Sequence, residues 1–79
     1  MKITEKVVYK DNTHKQIMFW FDVWMDSYKQ FIEEKNERMV DFEYDRLYTA
    51  TDLLYFTGCI NHERKKYMEQ EIDIVRGWA

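Results

Sequence analysis

The apolar positions of the chain are densest in QIMFWFDVWM, Gln16 to Met25, which carries one charge in ten residues. Laid out at about 100° per residue, Ile17, Met18, Trp20, Phe21, Trp24, Met25, Tyr28, Phe31 and Ile32 fall in one continuous arc. Asp22, Asp26, Lys29, Gln30, Glu33, Glu34 and Glu37 occupy the opposite arc. The phase holds from residue 16 to about residue 34, whereas a period of two explains only 17–25 and leaves Met18, Trp20 and Trp24 together on its second face. The spacing therefore predicts a helix over about 14–37, opened by Thr13 with Gln16 as a capping box. At 1.5 Å per residue it would run about 36 Å. The competing pattern makes 16–24 a strand, paired in a hairpin with 2–9 through a turn at Asp11 and Asn12, and starts the helix at Ser27 with Gln30.

The remaining pattern is shorter in range. KITEKVVY, residues 2–9, places Ile3, Val7 and Tyr9 on one side of an alternating strand. Tyr44, Leu47, Tyr48, Thr51, Leu54 and Tyr55 share a helical face over about 42–57, with Asp41 as its N-cap and Gly58 suited to its left-handed end. A rival pattern makes Val40, Phe42 and Tyr44 alternate as a strand, with that helix beginning after Thr49. Asn61 caps a last helix, 62–76, whose Tyr67, Met68, Ile72, Ile74 and Val75 line one face before Gly77. The expected fold is mainly α: a short N-terminal β-strand (about 2–9), then three helices (about 14–37, 42–57 and 62–76). The alternative is α+β, an N-terminal hairpin of 2–9 and 16–24 packed on two or three helices. With no proline, two glycines and no repeat, residues 1–79 are expected to form one compact domain.

Two side chains of the long helix stand outside this scheme. Phe19 and Val23, four residues apart, project among Asp26, Gln30, Glu34 and Glu37, and the main apolar arc is itself roughly 160° wide. A helix so apolar around its circumference needs cover on more than one side. The N-terminal strand could fold over the pair, or a second protein could. Phe19, Val23, Trp20, Trp24, Met18 and Met25 are accordingly the candidate interface, toward a partner or a second copy of the chain.

Composition narrows the function classes. Hydrophobic residues make 46% of the 79 and aromatics 18%, enough for a small core and against disorder along the whole chain. A chain of this length buries little more than roughly 60% of its unfolded surface, so a partner subunit would add useful stability. The net charge of −3 argues against general nucleic-acid binding, which rests on phosphate contacts. The excess acid lies in the second half, where Met39–Ala79 holds five basic and eight acidic residues. The longest apolar run, Ile17–Phe21, is far shorter than the roughly 20 residues of a membrane span. The N-terminal stretch lacks the apolar centre of a signal peptide and Cys59 has no disulfide partner, so a cytoplasmic, membrane-free location is expected.

Candidate chemistry is sparse. Cys59 and His62 have the spacing of half a zinc site, but no second cysteine exists and His14 is far away in sequence, so no metal or other cofactor is expected. HERKK, His62 to Lys66, opens like a zinc-protease helix, yet Lys66 stands where the second histidine must be. No catalytic residue is assigned, and an enzyme is not expected. Asp41, Glu43, Asp45 and Asp52 set carboxylates beside aromatics and form a candidate acidic patch for a protein partner. Arg64, Lys65 and Lys66 cluster at the start of the last helix, the unfavourable end for positive charge, and with Lys35 and Arg38 are the alternative nucleic-acid contacts. Arg64 and Glu71 also fall inside the apolar arc of that helix, where burial would require partners from elsewhere.

The expected function is a small cytoplasmic protein-interaction module, a regulator or inhibitor that occupies the surface of a protein partner and pairs as a homodimer through residues 16–25. Compact, acidic, aromatic-rich chains of this size occur among the accessory proteins of phages and mobile elements, an analogy of composition alone. The alternative is a nucleic-acid-associated protein using the basic cluster.

Overall fold

The computed structural model describes residues 9–78, and they form three helices: α1 (Asn12–Glu33), α2 (Glu37–Phe56) and α3 (His62–Arg76). Among the described residues there is no strand, so 16–24 belongs to α1 and 40–44 to α2, and both strand alternatives fail. The helical period wins in each because it continues on both sides of the segment that could alternate. The strand expected over 2–9 lies, except for Tyr9, outside the described residues.

Each helix starts on a side chain that takes up free backbone N–H groups. The Asp11 carboxylate accepts from Thr13 (2.9 Å) and His14 (3.2 Å), replacing the expected Thr13 cap. Asn36 accepts from Met39, so α2 begins five residues before the expected 42 and Asp41 lies inside it. Asn61 accepts from the Arg64 N–H at 2.8 Å, as expected for α3.

The three helices also end alike. At Lys35, Gly58 and Gly77 the backbone turns left-handed (φ of 59°, 82° and 84°) and its N–H donates to a carbonyl three residues back. The following residue, Asn36, Cys59 or Trp78, donates to the carbonyl five back, which completes the same C-terminal motif each time. Glycine fits that conformation after α2 and α3. After α1 a lysine occupies it, at a cost of about 1–2 kcal/mol. The reversal at Lys35 ends α1 at Glu33, four residues short of the expected 37.

α1 and α2 pack side by side as an antiparallel hairpin, and α3 leans mainly on α2. The core lies between them: Phe21 and Tyr28 from α1, Val40, Leu47, Ala50 and Leu54 from α2, Cys59 and Ile60 from the connection, and Met68 and Ile72 from α3. Polar bonds fix α3 in place. The buried Tyr28 hydroxyl donates to the Ile72 carbonyl at 2.8 Å. The hydroxyls of Tyr44 and Tyr48 converge on the Asp73 carboxylate at 2.9 and 3.0 Å. No helix among the described residues is long and apolar enough to cross a membrane.

Candidate interaction surface

α2 has two seams, and the site lies on the outer one. Val40, Glu43, Leu47, Ala50 and Leu54, spaced 3, 4, 3 and 4, are all buried. Phe42, Arg46, Thr49, Leu53 and Phe56, spaced 4, 3, 4 and 3, lie on the side turned away from Tyr44 and Tyr48 and hence from α3. On α1, Ile17 and Trp24 approach this second seam, and the helices enclose a groove of about 500 Å³ lined by Ile17, Trp24, Phe42, Arg46, Ala50 and Leu53. Phe42 is 53% exposed, Leu53 48% and Phe56 78%.

Aromatic rings run along the α1 rim. Phe19 meets Trp20 edge-on at 5.4 Å, and Trp20 stacks on Trp24 at 6.2 Å. Arg46 ties the two helices together, its guanidinium lying 4.4 Å over Trp24 and 4.9 Å over Phe42. The same group pairs with Glu43, whose side chain is fully buried. The groove is thus apolar, with one cation already neutralised from beneath. The second Glu43 oxygen, Oε2, and the Arg46 Nε are buried without a hydrogen-bond partner.

The six interface candidates divide among three surroundings. Trp20 and Trp24 belong to the groove and its rim. Met18 and Met25 turn the other way, into a cleft between α1 and α3 that also contains Arg64, Tyr67 and Met68. Phe19 remains 60% exposed and Val23 half-buried, so among the described residues nothing covers Phe19 fully.

The charged candidates are similarly dispersed. Asp41, Asp45 and Asp52 follow one stripe of α2, with Asp41 paired to Arg76 and Asp52 lying 3.7 Å from Lys65; Asp45 is exposed on the groove. Glu43 is on the inner seam, away from them. Lys65 bonds Glu69 at 3.0 Å, which raises its pKa, and lies 5.6 Å from the Tyr55 ring. Arg64 lies 6.0 Å over Tyr67, half-buried in the α1–α3 cleft, and Lys66 is exposed. Lys35 and Arg38 sit at the opposite end of α2, whose 20 residues span about 30 Å, so the five cations do not gather into one patch.

Cys59 is buried, and desolvation pushes its thiol pKa up, the reverse of an activated nucleophile. His62 is exposed, 6.0 Å from the Tyr55 ring, and no group of three metal-binding side chains occurs among the described residues. No family model, curated protein or solved structure matches the chain.

The sequence reading missed Phe42, Arg46, Leu53 and Phe56. With Thr49 between them their 4, 3, 4, 3 spacing is present in the sequence, but a helix started at 42 leaves Phe42 at its frayed end and the seam without its first member.

Proposed function

We propose that the chain is a non-enzymatic protein-interaction module of the cytoplasm, a regulator or inhibitor that acts by seating the α1/α2 groove on a protein surface. The observation that carries this reading is the second seam of α2: Phe42, Leu53 and Phe56 stand exposed on the side away from the core, in line with Arg46 and Thr49 and beside two stacked tryptophans. Exposed apolar patches of this kind on small proteins mark contact sites. The pairing of Arg46 with Glu43 supports it further, because a groove whose central charge is neutralised costs less to dry. Self-association through the same helices belongs to this reading, and the acidic residues beside the groove would tune partner choice more than affinity.

The test is affinity capture from a host lysate with the wild-type chain, a Phe42→Asp, Leu53→Asp variant and an Ile74→Asp control on α3. Specific bands retained by wild type and control but lost by the groove variant support the reading. Identical profiles for all three chains overturn it.

A further inference from the structure

We propose that the outer face of α1 and α2 pairs with the same face of a second copy, stacking two helical hairpins into a four-helix layer with each α3 outside. This rests on the reading of that face as an interaction surface and names its first occupant. Alternating steps of three and four residues are the spacing with which one helix packs along another. α2 carries that spacing twice. The seam at 40, 43, 47, 50 and 54 is buried by this chain's own core, and the seam at 42, 46, 49, 53 and 56 is not. α1 repeats the step on the same side with Ile17, Trp20 and Trp24. A second helical hairpin is the shape that two adjacent seams of this kind accept.

The area agrees. Trp20, at 47% exposed, joins Phe42, Leu53 and Phe56, and together they leave roughly 400–500 Å² uncovered, taking about 200 Å² for a whole aromatic side chain. That is about half of the roughly 800 Å² each partner buries in a standard interface, before Ile17, Trp24, Arg46 and Thr49 between them are counted. The face is also self-complementary. Trp20 forms a ridge beside the groove, and a two-fold axis sets the ridge of each copy against the groove of the other. Of the two charged residues in the groove lining, Arg46 is already held by Glu43, while Asp45 has its side chain exposed and must keep its carboxylate at the wet rim of the contact.

Sedimentation equilibrium on the full chain tests this, with far-UV circular dichroism to check folding. Wild type and Ile74→Asp are expected at twice the 9.9 kDa chain mass at micromolar concentration. Leu53→Asp, Phe56→Asp is expected to keep its helicity while its monomer–dimer midpoint moves at least about a hundredfold, the loss of two central anchors. A wild-type monomer throughout the accessible range overturns the proposal, as does a dimer indifferent to the Leu53 and Phe56 changes. If the double variant loses helicity, Phe56→Ser, at the most exposed seam position, replaces it and is judged by the same shift. A monomer whose groove variant still loses its lysate partner removes the second copy and keeps the interaction reading. A dimer whose groove variant captures the same proteins as wild type does the opposite.

Discussion

Replacing Arg46 with methionine would leave the Glu43 carboxylate fully buried with neither oxygen paired, since Arg46 is its one bonded partner among the described residues. Removing one member of a buried ion pair costs about 3–5 kcal/mol. The lower end applies because the Arg46 side chain is about one-third in water and relinquishes less on leaving. Against the 5–15 kcal/mol that folded domains typically hold, a loss of about 3 kcal/mol is severe and lowers the melting temperature by about 12–24 °C. Glu43→Met is expected to cost only about 1 kcal/mol, because the guanidinium it frees can turn to solvent. The double change Glu43→Met, Arg46→Met removes both charges, places a thioether against Trp24 and Phe42, and should lie within about 1 kcal/mol of wild type. Urea unfolding followed by circular dichroism at one fixed chain concentration gives all four corners of the cycle. Equal stability of Arg46→Met and wild type, or a double variant that loses the sum of the singles, would refute the pairing as the reason a carboxylate is tolerated there.

Tyr28→Phe should cost about 1 kcal/mol by removing the buried hydroxyl's bond to the Ile72 carbonyl, which keeps its helical partner within α3. Its effect on alkaline stability is distinct: burial pushes the Tyr28 pKa up to about 12 from 10.0, so its contribution is complete below pH 10 and disappears as pH rises to 12. Wild type should therefore lose about 2 kcal/mol more than Tyr28→Phe between pH 10 and pH 12, and parallel pH curves would contradict it. Lys35→Gly is expected to raise stability by about 0.5–1 kcal/mol, the relief of a left-handed lysine less the entropy of glycine, measured as a shift in urea midpoint. Asp11→Ala should cost about 1 kcal/mol and fray the first turn of α1, seen as faster amide exchange at Thr13 and His14; unchanged exchange would remove Asp11 as the cap.

α3 was legible in the sequence to the residue, because its two ends are marked by side chains with strong local preferences, Asn61 and Gly77. The helical nature of 16–33 was legible from its period. The break between α1 and α2 was not. It depends on Lys35 adopting a conformation that lysine avoids, and Asn36, the true cap, sits in a polar run that resembles the end of a longer helix. The same displaced boundary hid the groove, since Phe42 gains its place on a seam only when α2 starts at Glu37. Glu43 was read as a surface charge because sequence offers no sign that Arg46, three residues on, would fold back over it. Trp20 and Trp24 are interface candidates in the sequence as part of α1 alone, whereas Trp24's neighbours on the groove come mostly from α2.

The attachment of α3 has a consequence for how the molecule opens. Its hold on the hairpin is made through three tyrosine hydroxyls, the Asp73 carboxylate, the ion pairs of Arg76 with Asp41 and Lys65 with Asp52, and a short apolar row, whereas α1 and α2 grip each other along most of their length. Such an arrangement divides the chain into cooperative units of unequal strength. The amides of α3 are expected to exchange with solvent by detachment of that helix alone, at a lower free energy than those in the middle of α1. The hairpin would persist through the event, with the inner side of Tyr28 briefly wet.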